Sequence, residues 1–290
     1  MPQLEYSSPS TADDAVRALA AAGGSAKVLA GGTDLLVQLR SGRIRPSVIV
    51  DLKRIAGAVG IREEAGAFVI GAATPGAVLG EHAALSKAWP GVVEAANLIG
   101  STQVQGRATL AGNLCNASPA ADSVPAMIAA GATCVVVGPK GRREIPVEQV
   151  PKGPGETSLA PDEFLLEIRL PPRPPRSADA YLRLIPRTEM DIAVVGAGVS
   201  LTLDAEGVIT AARVALGAVA PTVILVPEAG AALVGSRLGD QALEKLDAAA
   251  KAAARPISDK RGTVDYRTNI AGVLARRAAT IAYQRAESRA

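Results

Sequence analysis

Leu29-Ala30-Gly31-Gly32-Thr33-Asp34-Leu35 follows a short apolar stretch, residues 27–30, that reads as a strand, and it leads into 34–40, a helical turn closed by Ser41-Gly42. Strand, glycine segment and helix in that order present backbone N–H groups where side chains would otherwise keep an anion away. Further along, Thr109-Leu110-Ala111-Gly112-Asn113 adjoins another apolar stretch and also leads toward helix-forming sequence. Either segment alone is a turn about as often as a phosphate site. Together they suggest a diphosphate clamped from both sides. The lysine-containing phosphate loop GxxxxGK[ST] does not occur, so a dinucleotide fits better than a nucleoside triphosphate. The polar run Asn116-Ala117-Ser118-Pro119-Ala120-Ala121-Asp122 lies just beyond the second segment. Asp122 suits ribose hydroxyls, and it suits a helix N-cap equally well.

With 290 residues the chain can bury a sizeable core, yet only 2% of it is aromatic, so that core has to come from Ala, Val, Leu and Ile. This argues against base-stacking surfaces for single-stranded nucleic acid. The net charge is +3 and the basic residues are scattered, which makes nucleic acid a poor partner. Cys115 and Cys134 are the only cysteines, too few for a cluster held by four thiolates. Met1-Pro2-Gln3-Leu4-Glu5 lacks the pattern of a signal peptide. The longest apolar run, 124–138, is shorter than the roughly 20 residues of a spanning helix. A cytoplasmic protein with no membrane span is expected.

Ser10 and Thr11 precede a helical pattern that ends at Gly23-Gly24. Residues 47–52, 68–72 and 133–137 read as strands, 91–99 and 122–130 as helices, and Thr74-Pro75 as an N-cap with proline at the first helical position. Pro171-Pro172-Arg173-Pro174-Pro175 is the clearest linker, because proline continues neither a helix nor a central strand. Beyond it, 180–185, 193–203 and 209–216 alternate with turn signals as in an antiparallel sheet. Helical segments at 227–234, 240–254 and 264–286 follow. The fold class is α+β.

Other features have simpler readings. Gly196 and Gly198 resemble half of a dinucleotide fingerprint, but Leu201 stands at the third glycine position, so glycines in a closely packed strand are favoured. His82 is the only histidine, which leaves no HExxH metal site and suggests a surface or cap residue. Cys115 reads as a small half-buried thiol.

In order along the chain, Ala30-Gly31-Gly32-Thr33-Asp34-Leu35, then Gly106-Arg107-Ala108-Thr109-Leu110-Ala111-Gly112-Asn113 with Ser118-Pro119-Ala120-Ala121-Asp122, then Arg187-Thr188-Glu189-Met190-Asp191-Ile192-Ala193 resemble one known family. Pro256-Ile257-Ser258-Asp259-Lys260-Arg261-Gly262, with Tyr266-Arg267, continues the likeness nearly to the C-terminus. The family is the FAD-binding medium subunit of the molybdenum hydroxylases, which includes the flavoprotein subunits of carbon monoxide dehydrogenase and bacterial xanthine dehydrogenase-type enzymes.

The resemblance implies a two-subdomain FAD-binding domain of the PCMH or vanillyl-alcohol-oxidase-like kind at 1–173, with subdomains at about 1–55 and 56–173. A C-terminal α+β domain like that of the carbon monoxide dehydrogenase flavoprotein would occupy 174–290. It implies FAD in this chain, with a large molybdenum-cofactor subunit and a small [2Fe-2S] subunit as partners in a dimer of heterotrimers. By matching, Leu29, Ala30, Gly31, Gly32, Thr33, Asp34, Leu35 and Leu36 would hold the diphosphate from one side, and Thr109, Leu110, Ala111, Gly112 and Asn113 from the other. Asp122 would meet the adenosine side, Ile99 would lie near the flavin ring, and Arg187 would join the flavin pocket. No residue is expected to be catalytic or to bind a metal. The expected role is an electron-transfer subunit of an oxidoreductase, passing electrons from a partner's iron–sulfur clusters through FAD to an external acceptor. Two departures stand out: Ala111 where the family often has glycine, and Leu225 where relatives often carry a basic residue. The alternatives are a stand-alone FAD reductase of the same fold and a scaffold that has lost its flavin.

Overall fold

The computed structural model describes residues 4–289, so the reading of Met1, Pro2 and Gln3 lies outside the described residues. The first sheet is parallel, in the order β1-β3-β2, from β1 (Glu5–Ser7), β2 (Ala26–Leu29) and β3 (Val48–Asp51). Helix α1 (Ala12–Ala21) joins β1 to β2. Its N-cap is Thr11, whose hydroxyl accepts the Asp14 N–H, and it buries Ala15, Val16 and Leu19 at helical spacing. Helix α2 (Leu35–Arg40) leaves the end of β2 through the first glycine segment.

The second sheet is antiparallel. It begins with the pair β4 (Ile61–Glu64) and β5 (Ala67–Gly71). A run of short helices follows: α3 (Gly76–Glu81), α4 (Ala83–Ala88), α5 (Pro90–Asn97), α6 (Thr102–Gln105), α7 (Leu110–Cys115) and α8 (Ser123–Ala129). The chain returns as β6 (Thr133–Gly138) and β7 (Gly141–Pro146), passes through the small pair β8 (Pro151–Gly153) and β9 (Glu156–Thr157), and ends in β10 (Phe164–Leu170). The order is β4-β5-β10-β6-β7, so the last strand is central. Phe-Leu-Leu-Glu-Ile-Arg-Leu is apolar on both faces there, and its buried Glu167 is paired with Arg62 at 2.7 Å.

The Pro171-Pro175 segment joins β10 to the third sheet, an antiparallel meander of β11 (Ser177–Leu184), β12 (Val195–Leu203), β13 (Ile209–Gly217) and β14 (Ile224–Leu225). Helices α9 (Pro227–Ala231), α10 (Asp240–Ala253) and α11 (Val264–Glu287) complete the chain. Ala271, Ala275, Ala278, Ala282 and Ala286 form the buried stripe of α11. Such small side chains let the helix lie close to the sheet and replace the missing aromatic core. Across the sheet sits α8: a Cβ on Gly198 would lie 2.6 Å from the Pro125 carbonyl oxygen. Gly196 and Gly198 therefore serve close packing inside β12.

Two local expectations are corrected. Thr74 does not cap α3: its hydroxyl bonds the Gly60 N–H and C=O, each at 3.0 Å, and Pro75 takes the N-cap position. The second glycine segment is not a loop but the first turn of α7. Among the described residues no helix is long and apolar enough to cross a membrane.

Candidate cofactor site

The first glycine segment is a bend with unspent donors. After the Leu29 carbonyl accepts the Leu52 N–H at 3.1 Å, the chain turns, and Gly32 takes a φ of +81° that favours glycine. Among the described residues, no backbone N–H of residues 31–35 donates to a protein acceptor, whereas Leu36 N–H closes onto the Gly32 carbonyl at 3.0 Å. Behind the bend the Lys53 ammonium donates to the Ala30 carbonyl at 3.2 Å and pairs with Asp51 at 2.8 Å. This lysine fixes the direction of the bend and adds positive charge beside it.

The second segment abuts the first. A Cβ on Gly31 would lie 2.7 Å from the Arg107 carbonyl carbon and closer still to its oxygen. Only glycine lets these two backbones meet. Thr109 is the N-cap of α7, and its hydroxyl accepts the Gly112 N–H at 2.9 Å. The N–H groups of Leu110 and Ala111 donate to no protein acceptor among the described residues. Ala111, the departure from glycine, is only 4% exposed and packs into the core. Asn113 Oδ1 accepts the Ser123 N–H at 3.2 Å and its hydroxyl at 2.7 Å, which ties α7 to α8. Asn116 donates to Asp34 and accepts from Gln38, both at 3.2 Å, which ties α7 to α2. Thr109→Ala is expected to cost about 1 kcal/mol through the lost cap. It should also weaken cofactor binding, with Thr109→Ser close to wild type, as read by thermal melting and flavin titration.

Asp122 stands at the N-cap position of α8, but its backbone is helical and its side chain makes no cap hydrogen bond there. The carboxylate accepts Tyr181 Oη–H at 3.2 Å and Arg183 at 2.6 Å, both from β11. Burial pushes Asp122 up to about 6, with Arg183 and Tyr181 acting in the opposite direction. Ile99 is half-buried after α5, and the chain turns just beyond it at Gly100, where φ is +62°. Arg187 stays within its own loop, with its guanidinium on the Met190 carbonyl and 3.5 Å from Asp191. Leu225 sits on the short edge strand β14, paired with Ala215. His82 caps α4, where its Nδ1 accepts the Leu85 N–H at 3.1 Å. Cys115 is half-buried, and burial pushes its thiol up to about 12, away from the thiolate form.

A cavity of about 300 Å³ opens between Ser118-Pro119-Ala120 on one side and Ile192, Ala218 and Ile257 on the other. Arg267 lines it, 4% exposed, and donates to the Val194 carbonyl and Asp259, each at 2.7 Å. Segments far apart in sequence thus meet around one space with mainly apolar walls. Lys53, Tyr181 and Arg183 escaped the sequence reading, because their roles depend on contacts that no local pattern carries.

Residues 2–173 match the family described as FAD binding domain in molybdopterin dehydrogenase, and residues 180–282 match the CO dehydrogenase flavoprotein C-terminal domain. The chain is 37% identical over 285 residues to the carbon monoxide dehydrogenase medium chain of Afipia carboxidovorans, covering 98% of each. It is 33% identical to the xanthine dehydrogenase FAD-binding subunit of Escherichia coli O157:H7, covering 91% of each. Among solved structures, a chain of the Cu,Mo-CO dehydrogenase superimposes with a TM-score of 0.93 at 36% identity, over 98% of this chain and 99% of that one. A chain of quinoline 2-oxidoreductase from Pseudomonas putida 86 gives 0.89 at 27% identity, over 98% of each.

Proposed function

This chain belongs to the FAD-binding subunits of the molybdenum hydroxylases, and on that premise we propose that it is the electron-transfer flavoprotein of a multi-subunit dehydrogenase, taking electrons from a partner's iron–sulfur clusters and delivering them to an acceptor from outside the complex. The observation that carries the reading is the cradle itself: the segment with unspent amide donors at residues 31–35 abuts, through a Gly31–Arg107 contact only glycine permits, the segment that carries those of Leu110 and Ala111. FAD, when bound, supplies the redox chemistry, and the protein supplies orientation and surroundings. Of the segments 29–36 and Thr109, Leu110, Ala111, Gly112 and Asn113, the unspent amides of 31–35, Leu110 and Ala111 would hold its diphosphate, and the others would shape the cradle. Asp122, held by Tyr181 and Arg183, would face the adenosine ribose, and Ile99 would lie on the flavin side. The apolar cavity beside Ser118 is suited to one of the ring systems. Arg187 would have to leave Met190 to reach the pocket, so it is the weakest member of the set.

We place the domain boundary at 173/174, with subdomains at about 1–55 and 56–173 and a C-terminal domain at 174–290. The proline-rich join between β10 and β11 supports that division. The partners are a large molybdenum-cofactor subunit and a small [2Fe-2S] subunit, in two copies of a heterotrimer in the cytoplasm.

Affinity purification from the native host tests the reading. The expected result is a flavin spectrum with iron–sulfur absorbance, molybdenum in a large partner, and no oxidation of organic substrate by the isolated chain. A lone yellow protein with pyridine-nucleotide-dependent turnover would favour a self-contained reductase instead.

A further inference from the structure

We propose that α2 and the arginines after it form the docking surface for the electron-donating partner subunit, which meets them with an apolar centre and an acidic rim. The proposal rests on the relay reading above. Four of the six residues in Leu-Leu-Val-Gln-Leu-Arg are apolar, yet α2 buries none of them. Leu36 is 44% exposed and Val37 64%. By contrast α7, also six residues long, buries Leu110, Ala111 and Leu114. A helix this short has little stability of its own in water, so one whose Leu35 and Leu39 are only half-buried and whose Leu36 and Val37 are exposed presents a surface completed by another molecule.

Charge narrows the choice of that molecule. Arg40, Arg43 and Arg45 are exposed, and no acidic residue occurs between Leu35 and Val50. Among the described residues the ion pairs use other arginines. On α10, by comparison, Lys251 is matched by Asp247 one turn away. A second copy of this chain would set arginines against arginines in a two-fold contact, which disfavours self-association. The cofactor cannot be the whole cover, since its donors lie at the N-terminal end of α2 while the arginines extend from the C-terminal end. The same helix begins in the cradle, so a subunit seated on it stands beside the cofactor. That position suits the electron donor.

The test uses the full chain co-expressed with its small iron–sulfur subunit and large subunit. Val37→Glu, and separately the triple reversal Arg40→Glu, Arg43→Glu and Arg45→Glu, are compared with a control reversal of Arg276 and Arg277 on α11. The expected result is wild-type FAD content in all variants, with the iron–sulfur subunit bound at least about tenfold more weakly in the first two and unchanged in the control. Wild-type binding should weaken with salt. Hydrogen exchange at residues 35–45 should slow when the isolated wild-type chain joins the complex. Undiminished capture of the iron–sulfur subunit by both variants overturns the proposal. So does loss of FAD with the partner retained, which would give the surface to the cofactor, or dimerisation of the isolated chain through this face. If wild-type chain carries FAD but never binds an iron–sulfur subunit, the relay reading itself fails, and the docking assignment falls with it.

Discussion

A Gly31→Ala chain is expected to fold and to purify without FAD. The added methyl would sit 2.7 Å from the Arg107 carbonyl carbon and 3.2 Å from the Ala108 Cα, both of them backbone, so no side-chain rotation relieves the clash. The two cradle segments must move apart, and donors on one side or the other lose the diphosphate. A hydrogen bond to a charged group is worth about 1.5–3 kcal/mol, so losing two weakens binding by at least about a hundredfold. Gly32→Ala provides a graded comparison. Its φ of +81° charges an alanine about 1–2 kcal/mol, but the nearest atom is the flexible Leu29 Cδ1 at 2.9 Å. It should retain FAD at about a thirtyfold cost or less. Flavin absorbance per chain and FAD titration by fluorescence measure both, with apo-protein melting to show that each variant folds. Full flavin occupancy in Gly31→Ala would remove the cradle from its assigned role.

These residues also show how far the sequence alone could be read. Gly31 and Gly32 drew attention only together with the second glycine segment, since a glycine pair between an apolar strand and a helix is a turn about as often as a phosphate site. That Gly31 touches Arg107 was not legible, since the contact forms only when the parallel sheet and the helical run fold onto each other. The meander β11-β12-β13 announced itself through alternation and turns. The central strand β10 did not: a strand buried on both faces has no alternation, and Glu167 within it reads as a surface charge until Arg62 is seen beside it. Thr109 looked like part of a loop because Gly112 masked a helix start. Asp122 was picked out for its type and position, but its helix-capping option depended on backbone geometry. The structure spends that carboxylate on Tyr181 and Arg183 instead.

That last pair sets up the second large effect. Arg183→Met is expected to destabilise the chain by about 1.4 kcal/mol at pH 7 and by up to about 2.7 kcal/mol at pH 8, because it leaves Asp122 buried with only the Tyr181 hydroxyl for company, and the carboxyl keeps its proton at about 1.4 kcal/mol per pH unit above 6. Both side chains are shielded from solvent, Arg183 at 4% and Asp122 at 11% exposure, so solvent screening is slight. The cost must depend on pH. With Arg183 in place, Asp122 already stands at about 6 against its ordinary 3.8, driven by burial, and removing the cation raises it further. A carboxyl raised on folding contributes stability that is fully present below its unfolded value near 3.8 and is lost as pH rises through the folded value. The variant should therefore approach wild type in mild acid and fall away from about pH 6 upward. Asp122→Asn combined with Arg183→Met removes both charges and should recover most of the loss. FAD affinity should follow the same order if Asp122 faces the ribose. Denaturant melts of the four proteins from pH 5 to 8 give the coupling directly. A pH-independent Arg183→Met deficit, or a double variant no more stable than that single one, would mean that Arg183 acts by packing and not by holding the Asp122 charge.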